Sequence, residues 1–385
     1  MHNIPMNRYK DHVAIIGCGI AGLAIGCVLL REGIPSIIFE KHSKLGTHGS
    51  GISLSPNALR VLKYIDLEDE IKKISELTLS TKIQDTKKIL YSSPSIVRTT
   101  SREMLYKTLL NKYESSGGEV IYNHELRSID QSQSKIFFTN DSSFLVRHVV
   151  ACDGIKSSSR DLILKDNAAP SYSGYSAWRG IINSKDHSIN LHLSKNSHVV
   201  TYPINDRLTS FVAVIKTAKR YKETWRVEGT ADEMSADLFM HSRKLVNKLA
   251  KSKEVFKWGI YKRPHTGRLF VKNVTFLGDA AHPIVPFLGQ GGCMALEDAY
   301  IFGKLLIKYE NDIAFAQKEY QRIRYSRIRM IKNMSEMQGR LYHLSNPCLT
   351  IARNFLMKHS LKATDKRLNK IWDYDPNIDI KRLSI

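Results

Sequence analysis

The chain has 385 residues, of which 42% are apolar, so it can form one large domain or two to three ordinary ones with a real core. Its 58 basic and 37 acidic residues leave a net charge of +21, which fits nucleic acid, an anionic membrane surface, anionic ligands or a general enrichment in lysine. The five cysteines are scattered and lack the spacing of a metal site or a disulfide framework, so we expect a cytoplasmic protein without a metal centre. No nucleic-acid-binding module is visible in the sequence, so we expect no nucleic-acid partner.

An uncharged run over residues 13–30 admits two interpretations. It has about the length of a membrane span and contains a Gly-xxx-Gly spacing. However, Gly17-x-Gly19-x-x-Gly22 follows a short apolar strand and opens a helix, and Glu40 ends the next strand. This order is typical of a dinucleotide site, in which Gly17 makes the turn, Gly19 admits the pyrophosphate, Gly22 packs helix on strand and Glu40 takes the ribose hydroxyls. Lys41 is included among the candidate cofactor-binding residues.

The segments that follow are predicted from their caps and periodicity. Ser55 is expected to cap a helix that has Pro56 in its first turn, and residues 76–97 read as short strands. Ser101 is expected to cap a helix over residues 102–114. Strands are predicted over residues 119–122, 135–139 and 144–150.

Residues 172–216 are predicted to form the strands of a second sheet. Alternation over residues 198–204 places His198, Val200 and Tyr202 on one face. Arg179 and Arg207 are suitable anchors for a carboxylate or phenolate, and Trp178 and Tyr202 offer ring-sized apolar surface. These side chains either line a pocket or simply cover a sheet, and the alternation does not say which.

The most informative segment covers residues 278–299. An apolar strand ends at Gly278 with Asp279 at its edge, and Pro283 and Pro286 stiffen the loop that follows. Three glycines then allow close backbone approach, and a helix opens at once, so its free N–H groups and positive dipole end face the ligand. The predicted site suits an anion, and a reduced flavin carries its negative charge at the pyrimidine end. The three glycines are Gly289, Gly291 and Gly292.

The remainder of the chain is predicted to be mainly helical. One amphipathic helix is expected over residues 232–250, and further helices over 299–306, 313–341 and 349–359. The basic residues of segment 318–334 form either the solvated face of a helix packing on the cofactor domain or a surface that docks on a membrane.

Three motifs in this order carry a resemblance to a known family: GxGxxG at 17–22, DGxxSxxR at 153–160 and the segment 278–292. The last resembles, nearly residue for residue, the second flavin motif of the class A flavoprotein aromatic hydroxylases. Segments 175–180 and 372–376 are similar to the branch of salicylate hydroxylase and 3-hydroxybenzoate 6-hydroxylase, so the resemblance spans nearly the whole chain.

The resemblance implies an α/β fold, in which a Rossmann-like FAD domain is interleaved with a substrate domain built on a mixed β-sheet, followed by C-terminal helices. We expect the FAD domain to comprise residues 1–75, 98–170 and 265–310. The substrate domain would comprise 76–97 and 171–264, and the helical segment 311–385.

The resemblance also implies roles for single residues. Arg102 would contact the cofactor, Asp153 would lie near the flavin ribose and Asp279 would hold the ribityl chain. Pro286 would place its carbonyl beside the reacting oxygen, and the N–H groups of the helix-start glycines would steady the negative flavin. The branch often has a histidine directly before Tyr-Pro, where this chain has Thr201, so a histidine base stays open.

Together these inferences predict a monooxygenase that consumes NADH or NADPH and O2. Through a flavin hydroperoxide it would hydroxylate a small, anionic aromatic or heteroaromatic compound. A monomer and a homodimer are both compatible with the sequence. The alternatives are a membrane-surface hydroxylase of a quinone or polyprenyl-phenol precursor, an FAD-dependent oxidation of another ring compound, and a non-enzymatic basic binding protein on the same scaffold. The candidate catalytic residues are Pro286, His198, Tyr202 and Arg179.

Overall fold

A computed structural model describes residues 5–43, 50–165, 169–221, 227–264 and 267–383, except for the side chains of residues 361–363. The strands are β1 (Val13–Ile16), β2 (Ser36–Phe39), β3 (Gly51–Leu54), β4 (Glu76–Leu77), β5 (Ser80–Gln84), β6 (Ile89–Pro94), β7 (Arg98–Ser101), β8 (Glu119–Ile121), β9 (Leu126–Asp130), β10 (Lys135–Phe138), β11 (Ser143–Leu145), β12 (His148–Ala151), β13 (Ser171–Asn183), β14 (Ile189–Ser194), β15 (Ser197–Pro203), β16 (Leu208–Lys216), β17 (Glu228–Gly229), β18 (Val255–Lys262), β19 (Phe270–Val271) and β20 (Val274–Phe276). The α-helices are α1 (Ile20–Arg31), α2 (Pro56–Tyr64), α3 (Glu68–Ile74), α4 (Arg102–Ser115), α5 (Ser158–Leu164), α6 (Ala231–Asp237), α7 (Arg243–Leu249), α8 (Gly291–Lys308), α9 (Ile313–Tyr342), α10 (Pro347–His359), α11 (Leu361–Trp372) and α12 (Pro376–Arg382).

The first large sheet is mostly parallel and has the order β19-β20-β12-β1-β2-β8. Strands β1, β2 and β12 are buried along their whole length, as expected for central strands covered on both faces. Helices α1, α4 and α8 belong to the same hydrophobic core as these strands. Because parallel strands end at one edge, the turns after β1, β2, β12 and β20 meet there and form a ligand crevice. The run 13–30 is therefore β1 and α1.

The second large sheet has the order β17-β18-β13-β16-β15-β14-β5-β6. Its long strand β13 pairs antiparallel with both β16 and β18. One face of this sheet is covered by α6 and α7, whose leucines and methionine pack with Trp178. The opposite face turns toward the loop that precedes α8 and toward the C-terminal helices. The predicted α/β fold is confirmed, whereas the predicted domain limits stay a prediction.

Several predicted elements differ from the structure for local reasons. The strand predicted over 144–150 is divided because β11 pairs with β10 in a small sheet, whereas β12 joins β1 in the large one. The single helix predicted over 232–250 is two, because Thr230 and Ser242 each cap their own helix. Ser55 occupies the N-cap position of α2 and Pro56 its first turn, as predicted, but the Ser55 hydroxyl donates to Asn57 Oδ1 and caps no backbone N–H. Within the described residues, none of the helices is both long and apolar enough to cross a bilayer.

Candidate active site

The turn between β1 and α1 leaves open space at one glycine and close contacts at two others. Gly17 has a φ of +104°, and a Cβ there would lie 2.7 Å from the carbonyl oxygen of Cys152. A Cβ on Gly22 would lie 2.0 Å from the carbonyl oxygen of Gly17, so α1 packs directly on the turn. A Cβ on Gly19, in contrast, would meet no protein atom within 4 Å. The space beside Gly19 and the uncapped start of α1 together form a cradle for a phosphate group.

Glu40 lies at the end of β2, beside this cradle, and its side chain is buried. Its Oε2 accepts a hydrogen bond from the backbone N–H of Cys18 at 2.9 Å, and its Oε1 accepts one from His42 N–H at 3.0 Å. A carboxylate has further lone pairs, so two hydroxyl groups can still be bound. Lys41 is exposed next to it.

The loop before α8 forms the second half of the crevice. A short 3₁₀ turn, Pro286–Leu288, ends at Gly289, whose φ is +63°. Helix α8 starts at Gly291 without a side-chain cap, and a Cβ on Gly291 would meet no protein atom within 4 Å. A Cβ on Gly292 would lie 2.9 Å from Ile52 Cδ1. Free N–H groups and open space therefore coincide here, as they do at Gly19.

Three charged residues that were predicted to contact the cofactor lie at the edge where the parallel strands of the first sheet end. Asp279 and Arg102 are both exposed to the crevice and attract each other electrostatically. Asp153 instead binds its own loop, accepting hydrogen bonds from the Ser157 hydroxyl and from Ser159 N–H. Its geometry shows a loop-holding function, and its contact with the cofactor stays a prediction.

Beneath the loop lies a buried network of charges that joins α8 to α9. Arg324 donates to Glu297 at 2.6 Å and to Asp298 at 2.7 Å, and Arg327 donates to Glu297 at 2.8 Å. Asp298 also accepts from the backbone N–H of Gly278 at 2.9 Å and lies 2.5 Å from His282 Nε2. Burial alone would raise the pKa of Asp298, but His282 and Arg324 lower it to about 2, so it is ionised at neutral pH. The network therefore holds the crevice loop onto the helical core.

Sequence reasoning missed this network. The basic segment 318–334 was expected to lie in solvent or on a membrane, and for Arg324 and Arg327 that expectation is wrong because both are buried. A signal was present, since Arg324 lies four residues after Tyr320 and four before Ile328, on the apolar stripe of α9. An arginine on such a stripe requires a buried acidic partner, and Glu297 and Asp298 were available in an otherwise apolar helix.

A cavity of about 520 Å³ opens from the crevice toward the second sheet. It lies within the size range of small-molecule sites. One end is formed by residues 50–53 and 286–290, and one wall by the face of β13–β16. The remaining wall comes from α9, α10 and α11, a contribution of the tail that the sequence did not indicate. The tail residues at the cavity are Met334, Gln338, Leu341, Tyr342, Met357, Thr364, Arg367, Leu368 and Trp372.

His198, Val200 and Tyr202 all lie at this cavity, on the face that the alternation predicts. His343 Nδ1 is 2.7 Å from the carbonyl oxygen of Gly339, which can only accept, and we assign the His343 proton to Nδ1 on that basis. His343 Nε2 then accepts from His198 Nδ1 at 3.0 Å. His198 is left with an unprotonated Nε2, which has no hydrogen-bond partner among the described residues. Burial lowers the pKa of His198 well below its usual range and that of His343 to about 4.

Arg179 is the buried cation of the sheet face. Its guanidinium lies over the rings of Phe256 and Trp258, at 5.4 Å and 5.3 Å from their centroids. Burial and the nearby charge of Arg102 lower its pKa to about 10, so it remains charged at neutral pH. Burial raises the pKa of Tyr202 to about 12, which keeps its phenol neutral.

Two residues expected near the ligand lie elsewhere. Trp178 precedes Arg179 on β13, so it points to the opposite face, where its Nε1 donates to Asp237 at 2.8 Å. Arg207 lies in the turn between β15 and β16, and 82% of its side chain is exposed. Neither residue lines the cavity, so the expectation that they bind the ring or its anionic group is wrong.

Comparison with known proteins bears on this geometry. Residues 10–328 match the model of a family described as the FAD binding domain. The chain belongs to this FAD-binding family. It is 26% identical over 368 residues to the 3-amino-4-hydroxybenzoate 2-monooxygenase PtmB3 of Streptomyces platensis, with 89% of this chain and 91% of that protein covered. It is also 26% identical over 361 residues to the 3-hydroxybenzoate 6-hydroxylase of Polaromonas naphthalenivorans (strain CJ2), covering 86% and 88%.

A solved salicylate hydroxylase with substrate has the same fold, with a TM-score of 0.83, 21% identity and coverage of 98% of this chain and 99% of that one. The prediction of an FAD-dependent monooxygenase of the class A flavoprotein hydroxylase family is confirmed. The residues present fit the FAD, because the open cradles at Gly19 and Gly291 lie at the uncapped starts of α1 and α8. FAD would be held there, between β1–α1 and the loop that precedes α8.

Proposed function

We propose that the protein hydroxylates a small aromatic acid that carries a ring hydroxyl or amino group, with NADH or NADPH as the electron donor. Bound FAD supplies the redox chemistry, by which one atom of O2 enters the ring and the other leaves as water. The similarity to enzymes named for hydroxybenzoates supports this substrate class.

One observation carries the proposal. The cavity joins the backbone cradle of the FAD-binding half to a sheet face that presents a buried cation, a neutral phenol and a histidine with a free acceptor nitrogen. Apolar side chains form most of the remaining wall, and they can pack against a ring and exclude water. Such a site can fix the charge, the plane and the orientation of a small aromatic anion.

The residues at the cavity have separate roles in this proposal. Arg179 binds the carboxylate, because a buried guanidinium pairs with a carboxylate in a directional manner. His198 accepts a hydrogen bond from the ring hydroxyl or amino group, since its low pKa keeps the ring neutral and its Nδ1 proton is donated to His343 Nε2. Pro286 and Gly289 form the end of the cavity at the cofactor, and Asp279 and Arg102 bind the cofactor itself.

The proposal is tested with a panel of phenolic and heteroaromatic acids and their neutral counterparts, by measuring NADH or NADPH consumption together with the hydroxylated product. We expect an anionic hydroxybenzoate-type compound to give coupled product formation. Arg179→Ala should then lower kcat/KM by a factor that corresponds to about 2–4 kcal/mol of lost transition-state stabilisation, because the substrate carboxylate is left buried and unpaired.

Arg207→Ala is the matched control, since it removes the same type of charge from an exposed turn and should leave kcat/KM unchanged. Equal effects of the two substitutions would contradict the role of Arg179. A neutral, multi-ring or long-chain compound as the best substrate would contradict the anionic class and favour the quinone-precursor alternative.

A second prediction concerns His198. His198→Leu should lower kcat/KM for a ring-hydroxylated substrate by a factor that corresponds to about 1 kcal/mol or more, because the hydroxyl loses its buried acceptor. The O-methyl ether of the same substrate has no donor, so its smaller kcat/KM should change little. His198→Gln restores an acceptor oxygen and should recover part of the activity. If His198→Leu affects the hydroxyl compound and its ether equally, the histidine has only a packing role.

A further inference from the structure

Helix α10 is oriented with its polar side toward the protein and its apolar side toward solvent. Its one buried residue is Arg353, which donates to the carbonyl oxygen of Leu341 at 3.1 Å at the end of α9. The neighbouring Asn354 donates to Asp85 at 2.9 Å. In an ordinary surface helix, these polar residues would face water.

The outward side of α10 carries large apolar side chains. Ile351 is 70% exposed and Phe355 is 61% exposed, although isoleucine and phenylalanine are among the residues most often buried in folded proteins. With 3.6 residues per turn, the four exposed residues spread over roughly 160° of the helix circumference. This set forms a continuous face, called here the α10 face, made of Leu349, Ile351, Phe355 and Leu356.

Exposed basic residues lie on α10 and on two elements that contact it. Exposed Lys358 lies at the end of the helix, and exposed Lys366 and Lys370 lie on the following helix α11. Lys87 and Lys88 are exposed in the β5–β6 hairpin, whose Asp85 binds Asn354. Asp85 also accepts from the backbone N–H groups of both lysines, so its carboxylate is already hydrogen-bonded within the protein.

We propose that the α10 face docks the protein on an anionic phospholipid bilayer. A helix with exposed apolar side chains and nearby lysines is typical of proteins that bind at the boundary between lipid head groups and acyl chains. A second copy of this chain fits less well, because each copy carries a net charge of +21 and the two basic surfaces would repel.

The position of α10 gives this docking a consequence for the active site. Met357, on the inward side of the same helix, lines the cavity, as do Leu368 and Trp372 of α11. The helix that touches the bilayer is therefore also a wall of the substrate cavity. The docking proposal depends on exposure and charge at α10, and it stands independently of the substrate class proposed above.

The test is co-sedimentation of the FAD-loaded, full-length protein with vesicles of phosphatidylcholine alone or mixed with phosphatidylglycerol, at physiological salt. We expect binding to the anionic vesicles. Ile351→Glu and Phe355→Glu should each weaken it at least about tenfold, because an apolar anchor becomes an anion. Phe239→Glu is the matched control, since Phe239 is 75% exposed outside the α10 face, and binding should be unchanged.

The flavin absorbance and the activity without vesicles should stay the same in all three variants, which shows that they are folded. Failure of the parent protein to bind anionic vesicles would overturn the proposal. So would binding that neither α10 substitution weakens, because the basic surface alone would then account for it. Light scattering that shows a dimer broken by Ile351→Glu would assign the face to a second copy instead.

Discussion

Replacing Arg324 with alanine should lower the free energy of unfolding by about 3–5 kcal/mol, the largest stability effect that we expect from a single side chain. The substitution leaves Glu297 and Asp298 fully buried without one of their two main cationic partners. A buried charge without its partner has lost its hydration and gains no compensating ion pair, so the folded state is destabilised. Thermal or urea unfolding of the variant measures this loss.

Arg322→Ala is the control on the same helix. Arg322 pairs with Glu319 at 2.7 Å in an exposed i,i+3 arrangement, and its loss should cost less than about 1 kcal/mol. Similar losses for the two variants would show that the buried network does not stabilise the fold. Because Asp298 also holds Gly278 N–H and His282, we expect Arg324→Ala to retain FAD less well before it unfolds.

Gly19→Val should give a folded protein without bound FAD. A Cβ at Gly19 meets no protein atom, and the φ of −88° and ψ of −171° are open to any residue, so the chain itself tolerates valine. The added side chain instead fills the cradle that we assign to the pyrophosphate. The purified variant should be colourless, with a cooperative unfolding transition, and activity should be lost.

Gly22→Ala provides the contrast. Its Cβ would lie 2.0 Å from the carbonyl oxygen of Gly17, so α1 must move away from β1 and the melting temperature should fall. A yellow, active Gly19→Val protein would remove the cofactor assignment from this turn. Loss of folding in Gly19→Val, with Gly22→Ala unaffected, would reverse the roles that we give to the two glycines.

Much of the cofactor half could be predicted because its signals are local in the chain. The turn at Gly17, the start of α1 and the left-handed Gly289 each depend on a few consecutive residues and their allowed backbone angles. Short motifs of this kind adopt the same local structure in different proteins, and their order along the chain identified the family. The roles of individual residues, including Asp279 and Lys41, stay predictions.

The substrate half was predicted less well because its residues come together from distant parts of the chain. Alternation placed His198 and Tyr202 on one face, but it could not say that this face meets the tail helices. The partner that sets the tautomer of His198 is His343, which is 145 residues away. Trp178 and Arg179 are neighbours with suitable chemistry, yet only the pairing of β13 with β16 and β18 decides which of them faces the cavity.

The sequence by itself determined the fold and the cofactor, because these depend on backbone turns and helix starts that a few adjacent residues specify. The class of reaction followed from the resemblance to a known family that the order of these motifs supports. Only the tertiary structure decided which arginines are buried and which are solvated. Arg324, Arg179 and Arg207 are the same residue type, but one stabilises the core, one faces the ligand cavity and one lies in water. The energy of a charge depends on its distance from other charges and from water, and folding sets both distances.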